Sequence, residues 1–501
     1  MADQSEIEMR INGRAVFASA AYLIGVGLTF ILERIGAPDP LVRNLGPSIA
    51  LFVLALIGLL ARSSRLSAVL SADRLAPPVY AGAALAAIAA GFAVVFFAAP
   101  AGERGPLAAL PAGAFVGAIV IGPLARRSGA SSLSDLLSAR FPSPILRLVF
   151  AVAFFSIGAL IAAAGFEIAV RSLTSFVGVS RETAIAVIAI TVVLVVIPGG
   201  LAGLLWAGAA AAGVIAAVLL APILTRLSSD SAFSSLVWQG GADAAALLAR
   251  SWSQLDATTP QGRILDFAAI ALGFSVTAPI LSANFVSSTQ SQAVRSGVIG
   301  MIFAALLALG FFIAGPLWPK MGNVAAAGLR SSADLAAATI CACAGVQTAS
   351  RAVAFEARGY GLQTVLASRR LAGVRQLAVL ATALCGLLSY RQAVLPSSAL
   401  VDASALSLAA IAPALGLAAS QRASSVHALA AFVVSAAAIA GLAELQGWIF
   451  VAEHAPMAAL TAAAAGFAVG WAASLFGDWR RPSSAEGPQT LFVEPPLDPG
   501  E

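Results

Sequence analysis

A chain of 501 residues that is 59% hydrophobic and 11% charged falls far short of the roughly 25% charge that water-soluble domains carry. It has too little polar surface to face water, so lipid is its solvent. The net charge of +5 is spread as a few arginines per loop with no basic stripe or nucleic-acid motif, which excludes nucleic acid as a partner.

Each bilayer crossing takes about 20 apolar residues. The polar start, Met1 to Arg14, leads into an apolar stretch with no cleavage site, which reads as a retained helix rather than a signal peptide. Spans are expected near 15–32, 45–61, 75–98, 107–125, 145–170, 182–198 and 200–226. They resume near 265–287, 293–318, 332–358, 372–392, 394–420, 424–444 and 456–476. The fold class is therefore an all-α polytopic membrane protein with about fourteen transmembrane helices. Arginines are more frequent in the loops that lie inside when the N-terminus is cytoplasmic, so both termini are expected in the cytoplasm. Lys320 is the single lysine among 29 basic residues, and with so much alanine this suggests a GC-rich bacterial genome and a bacterial inner membrane. The long loop 227–264 is then periplasmic. Its amphipathic stretch, Ala242 to Trp252, reads equally as a lid over a vestibule or as a helix lying on the membrane surface. The tail 477–501, rich in proline, serine and acids, is expected to be disordered. Cys341, Cys343 and Cys385 lie in apolar segments and read as core residues. There is no P-loop and no Cys or His cluster; the two histidines, His427 and His454, fall near helix ends. Neither an enzyme nor a pump with its own ATPase is expected, and no cofactor.

Four blocks then share order and spacing with one family. Ser131-Ser-Leu-Ser-Asp-Leu-Leu-Ser-Ala-Arg-Phe141 resembles the "TLPDFLxxRF" stretch of the sodium:solute symporters. Val196-Ile-Pro-Gly-Gly-Leu-Ala-Gly-Leu-Leu-Trp206 resembles their "GGLxAVxWTD". Ala278-Pro279-Ile280-Leu281, Phe285 and Gln292-Ala-Val-Arg-Ser296 resemble "PHxxxRF…ARRS", and Ala344-Gly-Val-Gln-Thr348 resembles "A-x-M-S-T". The resemblance runs from about Gly36 to Leu475, and residues 32–39 are similar to a bacterial subgroup of acetate-type symporters. It implies a LeuT-type core of two inverted five-helix repeats, about 75–226 and 265–420. Two helices precede the core within 1–74 and two follow within 421–476. The first helix of each repeat is then broken at mid-membrane, where such transporters bind substrate. Gly82 and Gly91 bracket the first candidate break; Gly273-Phe-Ser-Val-Thr-Ala-Pro279 is the stronger signal for the second.

The resemblance also implies a sodium site made by carbonyls near Ala86 and Ala89 together with Ala344, Gln347 and Thr348. Gly91, Trp206, Ser275, Thr277 and Asn284 become the candidate substrate contacts. Several positions depart from the family. Gln347 replaces a serine, Ile280 and Asn284 replace His and Arg, and Ala207 and Gly208 follow Trp206 where polar groups are usual. Ionisable residues inside spans read as functional. Glu167 and Arg171, four apart, can pair as a gate or at the interface. Arg351 can stand in for sodium, bind an anion, or join Glu356 in an inner gate. Asp402 reads as a proton-coupling group or a hydrated carboxylate near the surface. The expected function is a secondary transporter for a small organic solute, a carboxylate, coupled to Na+ or H+. The alternative is a non-transporting sensor or assembly subunit that keeps the fold.

Overall fold

The computed structural model describes residues 20–22, 24–63, 66–74, 76–227, 233–255, 259–314, 324–352, 363–420 and 422–476. Helix dominates, and no strand occurs among them. The main helices are α1 (24–34), α2 (Asp39–Leu60), α3 (Pro78–Phe97), α4 (Leu110–Arg126), α5 (Leu133–Arg140), α6 (Pro144–Ser172), α7 (Arg181–Leu227) and α8 (Phe233–Ser253). They continue with α9 (Pro260–Ser275), α10 (Ala278–Phe285), α11 (Gln290–Ala314), α12 (Val324–Ser350), α13 (Gln363–Tyr390), α14 (Pro396–Ala418), α15 (Ser425–Gln446) and α16 (Ala455–Phe476). Among the described residues, helix occupies part of each of the fourteen expected stretches. Among the described residues, nine helices are long and apolar enough to cross a membrane, ten if the bent pair α9–α10 is one span. The tail 477–501 lies outside the described residues.

Proline sets many of the starts. Pro40, Pro78, Pro144, Pro260, Pro279 and Pro396 sit in first turns, where the missing N–H has no partner to lose. Inside helices proline has the opposite effect. The π-helical segments Val116–Ile121 of α4 and Ser407–Ile411 of α14 each end two residues before a proline, Pro123 and Pro413. A ring that cannot donate and crowds the preceding turn widens the helix there. Helix α7 bends at Gly200, whose φ of 56° and ψ of −130° only glycine adopts at little cost. The bend separates the two spans expected at 182–198 and 200–226, and the backbone N–H of Ser63 donates to the Pro198 carbonyl (3.0 Å).

Two breaks were expected in the core, and the structure contains one. At Val276–Thr277, α9 and α10 meet at 41°. Thr277 leaves helical geometry (φ −68°, ψ 133°) and Pro279 begins the next turn. Helix α3, by contrast, runs unbroken from Pro78 to Phe97. Gly82 and Gly91 act there as packing notches. A Cβ on Gly91 would stand 2.5 Å from the Ala337 carbonyl, and one on Gly82 2.8 Å from the Gly300 amide. Alanine-rich sequence between them keeps the helix intact.

Helix α12 is the hub, packing against α2, α3, α6, α7 and α13. Its crossing with α6 is made by glycine. A Cβ on Gly165 would lie 2.5 Å from the Ala342 amide, and those on Gly158 and Gly345 would press still closer on Ala349 and Ala162. Without solvent to expel, membrane helices gain from such close van der Waals approach. At one end of the bundle, α8 lies against α11 and the short turn Gly105–Ala108, and Trp252 packs at a tilt against Phe267 of α9 (5.3 Å). The amphipathic segment therefore rests on protein along one side. Gly345→Val should force α6 and α12 apart, at a cost of about 1–3 kcal/mol or more. Size-exclusion profiles after graded heating would read this as a lowered melting point; an unchanged one would refute the tight crossing.

Candidate functional site

The hub and the break meet at a cavity. It is lined by Ser132, Leu133 and Ser134 before and in α5, Phe154 of α6 and Leu204 of α7. Ala278, Pro279, Ser282 and Phe285 of α10 complete it, with Ala344, Gln347, Thr348 and Arg351 at the end of α12. Its volume of about 20 Å³ has room for a water or a bare ion and not for an organic solute. On the far side of the break, Phe274 of α9 packs against Phe92 and Phe96 of α3 at 5.8 and 6.2 Å. All three rings are fully buried and seal that direction.

Most hydroxyls near the break are satisfied by their own helices. Ser275 Oγ donates to Leu272 O (2.7 Å), Thr277 Oγ1 to Phe274 O (2.7 Å), Ser282 Oγ to Pro279 O (2.6 Å) and Thr348 Oγ1 to Ala344 O (2.9 Å). Gln347 differs. It is 2% exposed, and neither its Nε2 nor its Oε1 has a partner. A buried polar group left unmet costs about 1–3 kcal/mol, so such a group facing a cavity points to a water or ligand that meets it. Arg351, also buried, donates from one Nη to Leu70 O (2.5 Å) and to the Ser131 carbonyl, while its Nε is unpaired. Ser134 Oγ donates to the Arg351 carbonyl at 3.2 Å. The segment holding these contacts is capped by Ser132, whose Oγ accepts from the Asp135 amide (3.1 Å), a capping pattern legible in Ser132–Asp135.

The structure sorts the expected site residues. Ala344, Gln347, Thr348 and Arg351 come together on the cavity. Ala86, Ala89, Gly91, Trp206, Ser275, Thr277 and Asn284 are not among its lining. Because α3 is continuous, the carbonyls of Ala86 and Ala89 are engaged by amides four residues on. Trp206 packs against Tyr80 in a tilted ring contact (5.0 Å). Asn284 is fully buried, and its amide nitrogen, suitably turned, donates to Ala293 O (3.0 Å) and Ala118 O (3.2 Å), tying α10 to α4 and α11. Glu356 lies outside the described residues. Ser132, Ser134 and Ser282 were not foreseen as lining, since isolated serines in apolar runs carry no positional signal.

A hard-cation site takes about six oxygens. The cavity offers the Ser132, Ser134, Ser282 and Thr348 hydroxyls and the Gln347 amide, none of them an anionic ligand, beside a guanidinium that repels cations.

A second cluster lies toward the other end of α6. Glu167, 1% exposed, accepts from Arg171 Nε (2.8 Å), from Arg181 (2.7 Å) and from Ser389 Oγ (2.6 Å). Arg181 also donates to Ser389 O (2.6 Å), so α6, α7 and α13 are tied together. The Glu167–Arg171 pair was expected; Arg181 and Ser389 were not, because the contacts span turns of the fold that spacing cannot reveal.

The model of the sodium:solute symporter family matches residues 63–342. The chain belongs to the sodium:solute symporter family. Membership makes it a multi-pass membrane transporter of the secondary class and not an enzyme. A Na+-coupled sialic acid symporter, solved in a substrate-bound outward-open state, has 15% identity and a TM-score of 0.63. That match covers 88% of this chain and 98% of the other, and it shows the LeuT-type fold of two inverted repeats. A manganese transporter of Eremococcus coleocola has 13% identity and a TM-score of 0.42, covering 81% and 89%. No curated protein matches the chain. The family match ends two residues before Ala344, so the unusual Gln347 and Arg351 lie beyond it.

The outer cluster yields a test. Arg181 is 23% exposed and Arg171 50%. Arg181→Ala should strand a buried carboxylate and cost roughly 3 kcal/mol, whereas Arg171→Ala should cost under about 1 kcal/mol. Melting curves of the two variants would decide; equal losses would mean that Arg181 is not the main counter-charge.

Proposed function

We propose that the protein carries a small organic carboxylate across the bacterial inner membrane by alternating access, with both termini in the cytoplasm. The observation that carries this reading is the meeting on one cavity of the unpartnered Gln347 amide with the Arg351 guanidinium, whose Nε–H is unpaired. A fixed guanidinium with a neutral amide beside it is complementary to a carboxylate headgroup. The aromatic seal of Phe92, Phe96 and Phe274 on one side and the α5 segment on the other fit a site reached from each face in turn. Gly91, Trp206, Ser275, Thr277 and Asn284 belong to the surround that this motion rearranges. Sodium is the coupling ion that membership implies; protons are the other.

The alternative, a subunit that keeps the fold without transporting, draws on Ile280 and Ala207. Both are fully buried apolar residues at positions where polar chemistry was expected.

Reconstituted into liposomes, the full chain should take up labelled acetate, propionate, lactate or pyruvate saturably, with mutual competition and little uptake of neutral sugars. No uptake from this panel under a sodium gradient, a proton gradient or internal counter-substrate would refute transport and favour the alternative.

A further inference from the structure

The cavity has the opposite chemistry to a sodium site. We infer that Arg351 is a built-in cation standing where the family places its coupling ion, so that the carboxylate is held by Arg351 and Gln347 and transport needs no sodium. The inference rests on reading the cavity as a carboxylate site.

The carbonyls of α3 that a sodium ion would use are engaged within an unbroken helix. No residue of α3 lines the cavity, so that helix gives an ion there no ligand. Gln347 lines it in place of the expected hydroxyl, and its unpartnered amide can turn its N–H donors toward an anion. Arg351 follows Thr348 by three residues, hence on a neighbouring face of the same helix end, and it lines the same cavity. Its guanidinium stays charged at any physiological pH. Its bonds to the carbonyls of Leu70 and Ser131 fix one nitrogen and leave Nε–H unpaired. Asp135 acts on this charge and accepts from the Ser131 hydroxyl, yet does not line the cavity. It orients the guanidinium through Ser131 and leaves Arg351 as the charged group on the cavity lining. A sodium ion entering there would meet a like charge. A carboxylate would find a charge-assisted donor and an amide donor together.

The closing experiment follows thermal unfolding of the purified full-length chain in choline chloride, sodium chloride and choline propionate at equal ionic strength. Propionate should raise the melting temperature with or without sodium, and sodium chloride should match choline chloride. Arg351→Gln, which keeps N–H donors and loses the charge, should weaken propionate binding by about 30-fold or more, and Arg351→Lys should retain most of it. A sodium-specific rise in the wild type overturns the inference. So does the absence of any propionate shift, or a shift that survives in Arg351→Gln. Should that variant not fold, Gln347→Leu serves in its place: undiminished propionate stabilisation would be contrary. An Arg351-dependent propionate shift without uptake in liposomes would defeat the transport reading alone. Carboxylate uptake that requires sodium would defeat this inference alone.

Discussion

The glycine-mediated crossing of α6 and α12 is the constraint on which the rest of the structure depends. Gly158, Gly165 and Gly345 let two backbones approach until no side chain fits between them. That contact places α12 at the centre of the bundle, touching five other long helices. Everything of chemical interest on α12 then follows from its rotation. With one face pressed on α6, the residues at its final turns, Ala344, Gln347, Thr348 and Arg351, face the junction with α5 and α10. The packing is inexpensive in sequence, since it needs only small residues, but it is intolerant of change.

The break between α9 and α10 complements this hub. A membrane helix can be interrupted only where protein or a cavity meets its freed backbone. Here the amides of Val276 and Thr277 turn back to Gly273 and Phe274 (3.3 and 3.1 Å), and the hydroxyls of Ser275 and Thr277 donate to carbonyls of the same helix. The interruption is thus satisfied locally, and the cavity beyond it is left to Gln347 and Arg351. The second repeat is broken as the family fold implies, whereas the first retains a straight α3.

Much of the scaffold was legible because hydrophobic runs near 20 residues and proline punctuation are strong signals. The runs 182–198 and 200–226 were separated by Gly200, and Gly273–Pro279 announced its break through a glycine, two hydroxyls and a proline in seven residues. The first break was the weaker signal, with close packing the favoured reading for Gly82, because glycine has two uses. Gly82 and Gly91 are small for the sake of neighbouring helices, not for an unwound turn. Site residues were legible only where a motif fixed them. Gln347 and Thr348 were found through the Ala344–Thr348 block and Arg351 through its charge. Asn284 was reached through its position in the Pro279 block, and in the structure it joins three helices by bonding carbonyls of Ala118 and Ala293. A polar residue in a membrane core must bond something, and sequence does not say whether the partner is cargo or backbone.

The account's central claim is that this symporter scaffold has exchanged its coupling ion for a fixed guanidinium. Equilibrium binding of radiolabelled sodium to the purified full-length chain tests it most directly. The account predicts counts no higher than those with excess unlabelled sodium, both without and with propionate. Saturable binding approaching one sodium per chain would contradict it.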